Sequence, residues 1–301
     1  MRLLLGNLST EKRNTNTDNL DCMTTEEFCR VMNEEDHKVA EAVKEALPAI
    51  AETIDAATAA IKSGGRLVYA GAGTSGRLGV IDAAECVPTF GVSPDVVMAI
   101  MAGGGRAMEQ AVEGAEDSYE MAITDLKNIN LSNHDVVVGI AASGRTPYVI
   151  SALDYATEVG AFPVSISCNK NAIISNHAKV AIEVDAGPEV LSGSTRLKSG
   201  TAQKLILNMI STGTMVKCGK VYKNLMVDVL ITNEKLRDRG CRIVTESTGV
   251  SHEEASKYLD EAGGKVKTAI VMILAACSLN EAQKRLDEAG GFVRKAVQEE
   301  T

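Results

Sequence analysis

Arg66-Leu-Val-Tyr-Ala70-Gly-Ala-Gly-Thr-Ser-Gly-Arg77 is the stretch on which the fold turns. A short apolar run ends in glycines and passes into a helical pattern, which reads as strand, tight turn and helix. The glycines let the backbone approach a ligand closely, and the amino end of the following helix attracts an anion. Gly71, Gly73 and Gly76 match the G-x-G-x-x-G dinucleotide fingerprint, a weak signal by itself. A nicotinamide-binding fold would also place an acidic residue at the end of its second strand. Here the second apolar run, 96–101, passes into Ala102-Gly103-Gly104 instead. Thr74 and Ser75 add hydroxyl donors, which favours a polyhydroxylated or phosphorylated ligand.

Outward from this turn, short apolar runs alternate with Gly-rich turns and helical stretches, the texture of βαβ units. The predicted strands are 66–70, 96–101, 135–140, 163–167 and 180–184. None alternates strictly with polar residues, so a five-stranded parallel sheet buried on both faces is expected. Ligands bind such sheets beyond the carboxyl ends of the strands, which directs attention to the loops 71–77, 102–106, 141–146 and 168–171. Residues 1–35 are polar and read as an arm, in which Thr24 and Glu27 form a capping box opening a short helix. Residues 36–62 carry helical spacing, with Pro48 marking a kink or restart. Residues 198–238 read as long helices, the second around 225–236. Beyond Thr248, Glu254-Ala-Ser-Lys-Tyr-Leu-Asp-Glu-Ala-Gly-Gly264 returns as Glu281-Ala-Gln-Lys-Arg-Leu-Asp-Glu-Ala-Gly-Gly291, a duplicated helix with a Gly C-cap. Two copies are too few for a solenoid, and a packing role is preferred over a partner-binding module. The expected organisation is an arm (1–35), a sheet domain with flanking helices (36–240) and a small all-helical domain (241–301).

Composition narrows the function. The 301 residues carry a net charge of −9, and aromatic content is 3% with no Trp. Nucleic-acid binders carry a basic face and often stacking aromatics, so that class is disfavoured. Seven scattered cysteines without C-x-x-C spacing read as reduced thiols in a cytosol. Four isolated histidines (His37, His134, His177, His252) show no ligand spacing, so no metal is expected. Met1 to Leu5 lacks a signal-peptide core and no stretch is apolar enough to span a bilayer, so a soluble, cytoplasmic protein is expected.

Against that negative balance, three clusters of small and hydroxylated residues stand beside cations. The first holds Arg77. The second is Ala141-Ala-Ser-Gly-Arg-Thr-Pro147, with Arg145. The third is Ser192-Gly-Ser-Thr-Arg-Leu-Lys-Ser-Gly-Thr201, with Arg196 and Lys198 at the opening of a helix. Together they suggest a local anion trap. Two acids follow: Glu85 in an Ala-rich helix end expected to be buried, where an unpaired carboxylate is costly, and Glu116 after the Gly103-Gly104-Gly105 loop. Residue pattern alone does not prefer Glu116 over Glu113.

Several ordered motifs carry a resemblance. Gly71-Ala-Gly-Thr-Ser-Gly-Arg-Leu-Gly79, Asp82-Ala-Ala-Glu-Cys86, Ala111-Val-Glu-Gly-Ala-Glu-Asp117, Gly139-Ile-Ala-Ala-Ser-Gly-Arg-Thr-Pro-Tyr148, Gly200-Thr-Ala-Gln-Lys204 and Asn224-Leu-Met-Val-Asp228 resemble the N-acetylmuramic acid 6-phosphate etherase family over nearly the whole chain. The resemblance implies a three-layer sugar-isomerase (SIS) domain and a small C-terminal all-helical domain. It also implies a phosphosugar substrate, a homodimer with composite active sites and a role in recycling cell-wall muramic acid. It places the family's acids on Glu85 and Glu116 and its phosphate loop on Ser143, Gly144, Arg145 and Thr146. Gly73, Thr74, Ser75 and Ser194 are then expected to orient the sugar, and Arg196 or Lys198 to meet the lactyl carboxylate. The chain departs from the family pattern at Ala84 and Val87, beside Glu85. Two carboxyl groups could drive such a lyase with no metal or organic cofactor. A hexose-phosphate isomerase and a non-catalytic phosphosugar-sensing regulator are the rival expectations on the same fold.

Overall fold

The computed structural model describes residues 8–231 and 233–298; the reading of Met1 to Leu5 lies outside them. The chain packs as two compact units. The first runs through Ala84 and resumes from Asp95 to Ser211, and the second takes Glu85–Pro94 and everything from Thr212.

In the first unit, helix α1 (Thr25–Lys44) opens with the predicted capping box. The Thr24 amide donates to the Glu27 carboxylate at 2.8 Å and the Thr24 hydroxyl accepts from the Glu27 amide at 3.3 Å. The helix is not short, however. It continues through the expected 35/36 boundary for 20 residues, because the capped turn leads straight into a face that buries Glu35, Val39 and Val43. Helix α2 (Leu47–Lys62) restarts with Pro48 in its first turn, where a missing N–H costs nothing.

The sheet has strands β1 (Leu67–Gly71), β2 (Val97–Met101), β3 (Val136–Ile140), β4 (Phe162–Ser167) and β5 (Val180–Glu183), all parallel, in the order β2-β1-β3-β4-β5. All five lie within a residue of the predicted runs. β1 and β3 are buried at every position, as expected of strands covered on both faces. Helices α3 (Gly73–Phe90), α4 (Tyr119–Asn128), α5 (Pro147–Val159) and α6 (Lys198–Lys217) follow in the spaces between and after the strands. Gly139 lets α5 approach β3 closely, since an added Cβ would lie 2.7 Å from a Val149 methyl. Around that contact Val68, Val137, Tyr148 and Leu153 form the apolar core of this side of the sheet.

The second unit corrects one expectation. Among the described residues, no helix covers 225–231. Instead β6 (Val221–Tyr222) and β7 (Leu225–Met226) pair as an antiparallel hairpin around Lys223, whose φ is +55°. Helix α7 (Glu234–Thr248) starts only after the Asn233 cap. The physical reason is the period. Val227 and Val229 are buried while Asp228 and Leu230 are not, an alternation of two that belongs to extended chain. The expected 240/241 boundary falls inside α7. The duplication appears as two helix pairs: α8 (His252–Glu261) with α9 (Val266–Leu274), and α10 (Leu279–Glu288) with α11 (Val293–Ala296). Ser251 and Ser278 accept from the amides of Glu254 and Glu281, and the equivalent residues Ala255 and Ala282, Leu259 and Leu286 enter one core. No helix among the described residues is long and apolar enough to cross a membrane.

Candidate active site

The strand order reverses direction between β1 and β3, and Gly71 pairs in register with Met101 on one side and Ile140 on the other. The turns after β1, β2 and β3 therefore leave one sheet edge from adjacent strands, at the topological switch point where open α/β sheets bind ligands. At the first turn, Cβ atoms added to Gly71 or Gly76 would each lie 2.8 Å from the other's backbone, so the chain folds back on itself as only glycines permit. Gly73 has φ +53° and faces open space. The Thr74 hydroxyl has no hydrogen-bond partner among the described residues. Ser75, by contrast, is buried and donates to the Gln203 side-chain Oε1 at 3.0 Å. Ser75 thus ties α3 to α6, its proton engaged by Gln203.

Helix capping alone does not explain the second turn. Thr146 is the N-cap of α5, yet its side chain makes no capping bond, and Pro147 fills the first helical position. The Ser143 and Thr146 hydroxyls are half-buried and unpartnered among the described residues. Arg145 carries a buried Nε with no acceptor. A buried donor left unpaired costs about 1–3 kcal/mol, so Arg145 Nε is suited to an external acceptor. Gly144 (φ +73°) makes this geometry possible: a Cβ there would lie 2.4 Å from that of Ala172. Gly144→Ala is therefore expected to displace the loop at a cost of about 1–3 kcal/mol. Calorimetric titration should show weakened phosphosugar binding with the remaining core intact by thermal unfolding.

The third cluster is only partly available. Glu189, fully buried, accepts from the Lys198 amide at 2.8 Å, the Ser199 amide at 2.9 Å and the Ser199 hydroxyl at 2.8 Å. The chain's own carboxylate thus occupies the amino end of α6, where an external anion was expected. Lys198 is 1% exposed and its ammonium donates to Glu35 and to the Ala186 carbonyl, both at 2.8 Å. Lys198 is thus enclosed among the chain's own groups, and Arg196 is the more accessible of the two cations expected to meet a lactyl carboxylate. Arg196 is exposed and Ser194 half-buried, neither with a side-chain partner among the described residues. Gly200 brings this segment beside Thr74, an added Cβ lying 3.6 Å from the Thr74 methyl.

Of the two acids, Glu116 stands on a single 3-10 turn (Ala115–Asp117) after Gly114, which takes φ +72°. It lines a cavity of about 350 Å³ together with Gly73, Arg77, Ala102 and Glu113. Arg77 Nε donates to the Met108 carbonyl at 3.0 Å, which fixes the cation against the cavity wall. Geometry brings Glu113 to the same cavity, so position alone leaves both acids in play. Glu85 is not at a buried helix end. On α3 the inward residues are Ala83, Cys86 and Phe90, while Ile81 (53% exposed), Ala84, Glu85 and Pro88 face outward. Alanine content suggested burial, but the 3.6-residue period turns Glu85 to the other face. By helical rise it lies about 18 Å beyond Gly73. Gln203 is the residue sequence reasoning missed. It is buried, holds Ser75, and leaves its own Nε2 without a partner; its place in the quoted Gly200-to-Lys204 motif was the available signal.

This sheet, with Gly-, Ser- and Thr-rich turns at its switch point, defines a sugar-isomerase-type domain. Residues 110–212 match the SIS domain family model, and residues 49–157 match that of the glucokinase regulatory protein N-terminal SIS domain. Among solved structures, the c3406 protein of E. coli CFT073 aligns at a TM-score of 0.50 with 16% identity, over 67% of this chain and 97% of its own, a likeness of fold. Curated relatives are much nearer. The N-acetylmuramic acid 6-phosphate etherase of Exiguobacterium sp. is 61% identical over 91% of this chain and 94% of its own length. That of Halalkalibacterium halodurans is 59% identical over 98% and 99%. The chain belongs to the N-acetylmuramic acid 6-phosphate etherase family.

Proposed function

We propose that this chain is a carbon–oxygen lyase that releases D-lactate from N-acetylmuramic acid 6-phosphate, leaving N-acetylglucosamine 6-phosphate, in cytoplasmic cell-wall recycling. The observation that carries the reading is the anion loop with its orphaned Arg145 Nε, Ser143 and Thr146, set one strand away from the turn whose cavity holds Glu116. The phosphate anchors a non-reacting end of the sugar there, so that binding energy positions carbons 2 and 3. Opening the ring exposes the carbon 1 aldehyde, which acidifies the proton on carbon 2. Glu116 takes that proton, the electrons form a carbon 2–carbon 3 double bond, and the carbon 3–oxygen bond breaks. Glu85 protonates the departing lactate oxygen. Water then adds at carbon 3 and carbon 2 regains a proton. Arg196 is the remaining cation for the lactyl carboxylate, with Thr74 and Ser194 toward the sugar.

A homodimer with composite sites fits the position of Glu85. Its helix face presents Ile81, Ala84 and Pro88 outward with the acid among them, an apolar stripe suited to a second copy, which would enclose Glu85. The match to the regulatory-protein domain favours, as a second reading, a sensor that binds phosphosugar without turnover. Incubation in water labelled with heavy oxygen separates these readings. The lyase puts label in the sugar product and none in lactate, whereas label in lactate, or no lactate at all, counts against it. A hexose-phosphate isomerase would instead yield ketose from glucosamine 6-phosphate.

A further inference from the structure

A second cleft, of about 570 Å³, lies wholly within the helical unit. Its size is that of a small-ligand site. One wall is the turn Gly263-Gly264-Lys265, both glycines at positive φ (+61° and +79°), leading into α9. Helices α8 and α10 begin with serine caps, whereas α9 begins at Lys265 with no side-chain cap. The Lys267 amide donates to the Val227 carbonyl at 3.1 Å, but among the described residues the amides of Val266 and Thr268 donate to nothing. Such orphan amides attract anions.

The independent observation is Thr268. It lines the cleft, is only 3% exposed, and its hydroxyl makes no hydrogen bond among the described residues. A hydroxyl with no protein partner, on a side chain otherwise enclosed and lining a cleft, is a donor and acceptor available to a ligand there. The repeat does not demand it. In the second copy the residues equivalent to Lys265, Lys267 and Thr268 are Phe292, Arg294 and Lys295, and the helix there spans four residues.

The charges agree. Lys220 and Lys267 share one carboxylate, Asp228, at 3.2 and 2.6 Å, while Lys265 is exposed and unpaired among the described residues. Burial, with Lys220 nearby, holds the Lys267 pKa below the ordinary lysine value despite Asp228. The wall therefore has a surplus of positive charge. Asp287 also lines the cleft; it accepts from the Gln283 side-chain amide at 3.0 Å and keeps acceptor capacity for hydroxyls. We propose that this cleft binds a phosphate monoester of hexose size: the phosphate meets the Thr268 hydroxyl, the two free amides and Lys265, and the hydroxylated body faces Asp287. This is a second phosphosugar site, separate from the one at the sheet edge.

The test is calorimetric titration of the full chain with N-acetylglucosamine 6-phosphate and, separately, with inorganic phosphate. Two binding events per chain are expected for the sugar phosphate. Lys265→Ala with Thr268→Val should weaken one of them by about tenfold or more, and Ser143→Ala with Thr146→Val should weaken the other. Lactate release at low ligand should be unchanged in the first variant. Thr268→Val removes only an unpartnered hydroxyl, so unchanged thermal unfolding is expected. Should it unfold, Lys265→Ala alone, at an exposed position, decides. The proposal is overturned if the Lys265 and Thr268 variants titrate like the unchanged chain, or if a single event is seen that vanishes with Ser143 and Thr146. A single event that vanishes with Lys265 and Thr268 upholds this site and counts against the sheet-edge loop.

Discussion

Glu116→Gln is expected to slow lactate release by about 10²–10⁴-fold, the contribution of a positioned general base, while the KM for phosphosugar changes little. The substitution keeps shape and removes only basicity. Glu116 is exposed on its 3-10 turn and makes no hydrogen bond among the described residues, so the fold loses nothing. Glu113 supplies the internal control. It lines the same cavity, and Glu113→Gln should retain the rate if the motif assignment is right. Glu85→Gln should show a comparable loss in rate for a different reason, the missing proton for the lactate oxygen. The two roles are separable by exchange of the carbon 2 hydrogen in heavy water. Glu85→Gln should still exchange it, because the base is intact, and Glu116→Gln should not. If both variants released lactate at the rate of the unchanged chain, the two-acid mechanism would be wrong. If only the exchange pattern were reversed, the acid and base would trade places.

Much of this architecture is legible in the sequence because it rests on short-range signals. The five strands follow from apolar runs bounded by glycines, and Pro48, Thr24 with Glu27, Ser251 and Ser278 mark helix starts by local chemistry. Errors arise where partners lie far apart in sequence. Lys198 looks like a ligand cation in a Ser/Gly-rich segment, yet its partner Glu35 comes from a stretch whose polar composition reads as a free arm. Ser75 looks available until α6 brings Gln203 to it. At Glu85 the surrounding alanines suggest a core, although alanine is compatible with either face of a helix. The hairpin at Tyr222 and Leu225 is hidden because long apolar-rich segments satisfy a helical period and a strand period almost equally. The Thr268 cleft is hidden too, because its glycines are sufficiently explained as helix ends.

Lys198→Met should destabilise the chain by up to about 3–5 kcal/mol, because it removes the enclosed one of the two cations paired with a buried carboxylate. Both side chains are enclosed, Lys198 at 1% and Glu35 at 4% exposure, and Lys38 and Asn16 complete the cluster on the Glu35 Oε1 side. Burial by itself raises the Glu35 pKa, but hydrogen bonds from Lys198, Lys38, Asn16 and Asn14 outweigh it and bring the value down to about 2. A carboxyl group depressed in the folded state stabilises above its unfolded pKa, and that contribution is lost as pH falls through the folded value. For the unchanged chain, denaturant midpoints should therefore fall between about pH 4.5 and pH 2. In Lys198→Met the desolvation of Glu35 is offset only by Lys38, Asn16 and Asn14, so its pKa rises and the stability lost on acidification should be smaller than in the unchanged chain. Glu35→Gln with Lys198→Met should recover part of the lost stability, since a buried pair replaced together costs far less than a pair broken. The same lysine opens α6 directly after the segment bearing Ser194 and Arg196, and its amide is held by Glu189. Lys198→Met is accordingly expected to raise KM as well as lower the unfolding midpoint, with the double variant restoring the midpoint ahead of KM. Equal stability of Lys198→Met and the unchanged chain at pH 7 would mean that Glu35 reaches water, and that the arm does not seal the helix that carries this side of the site.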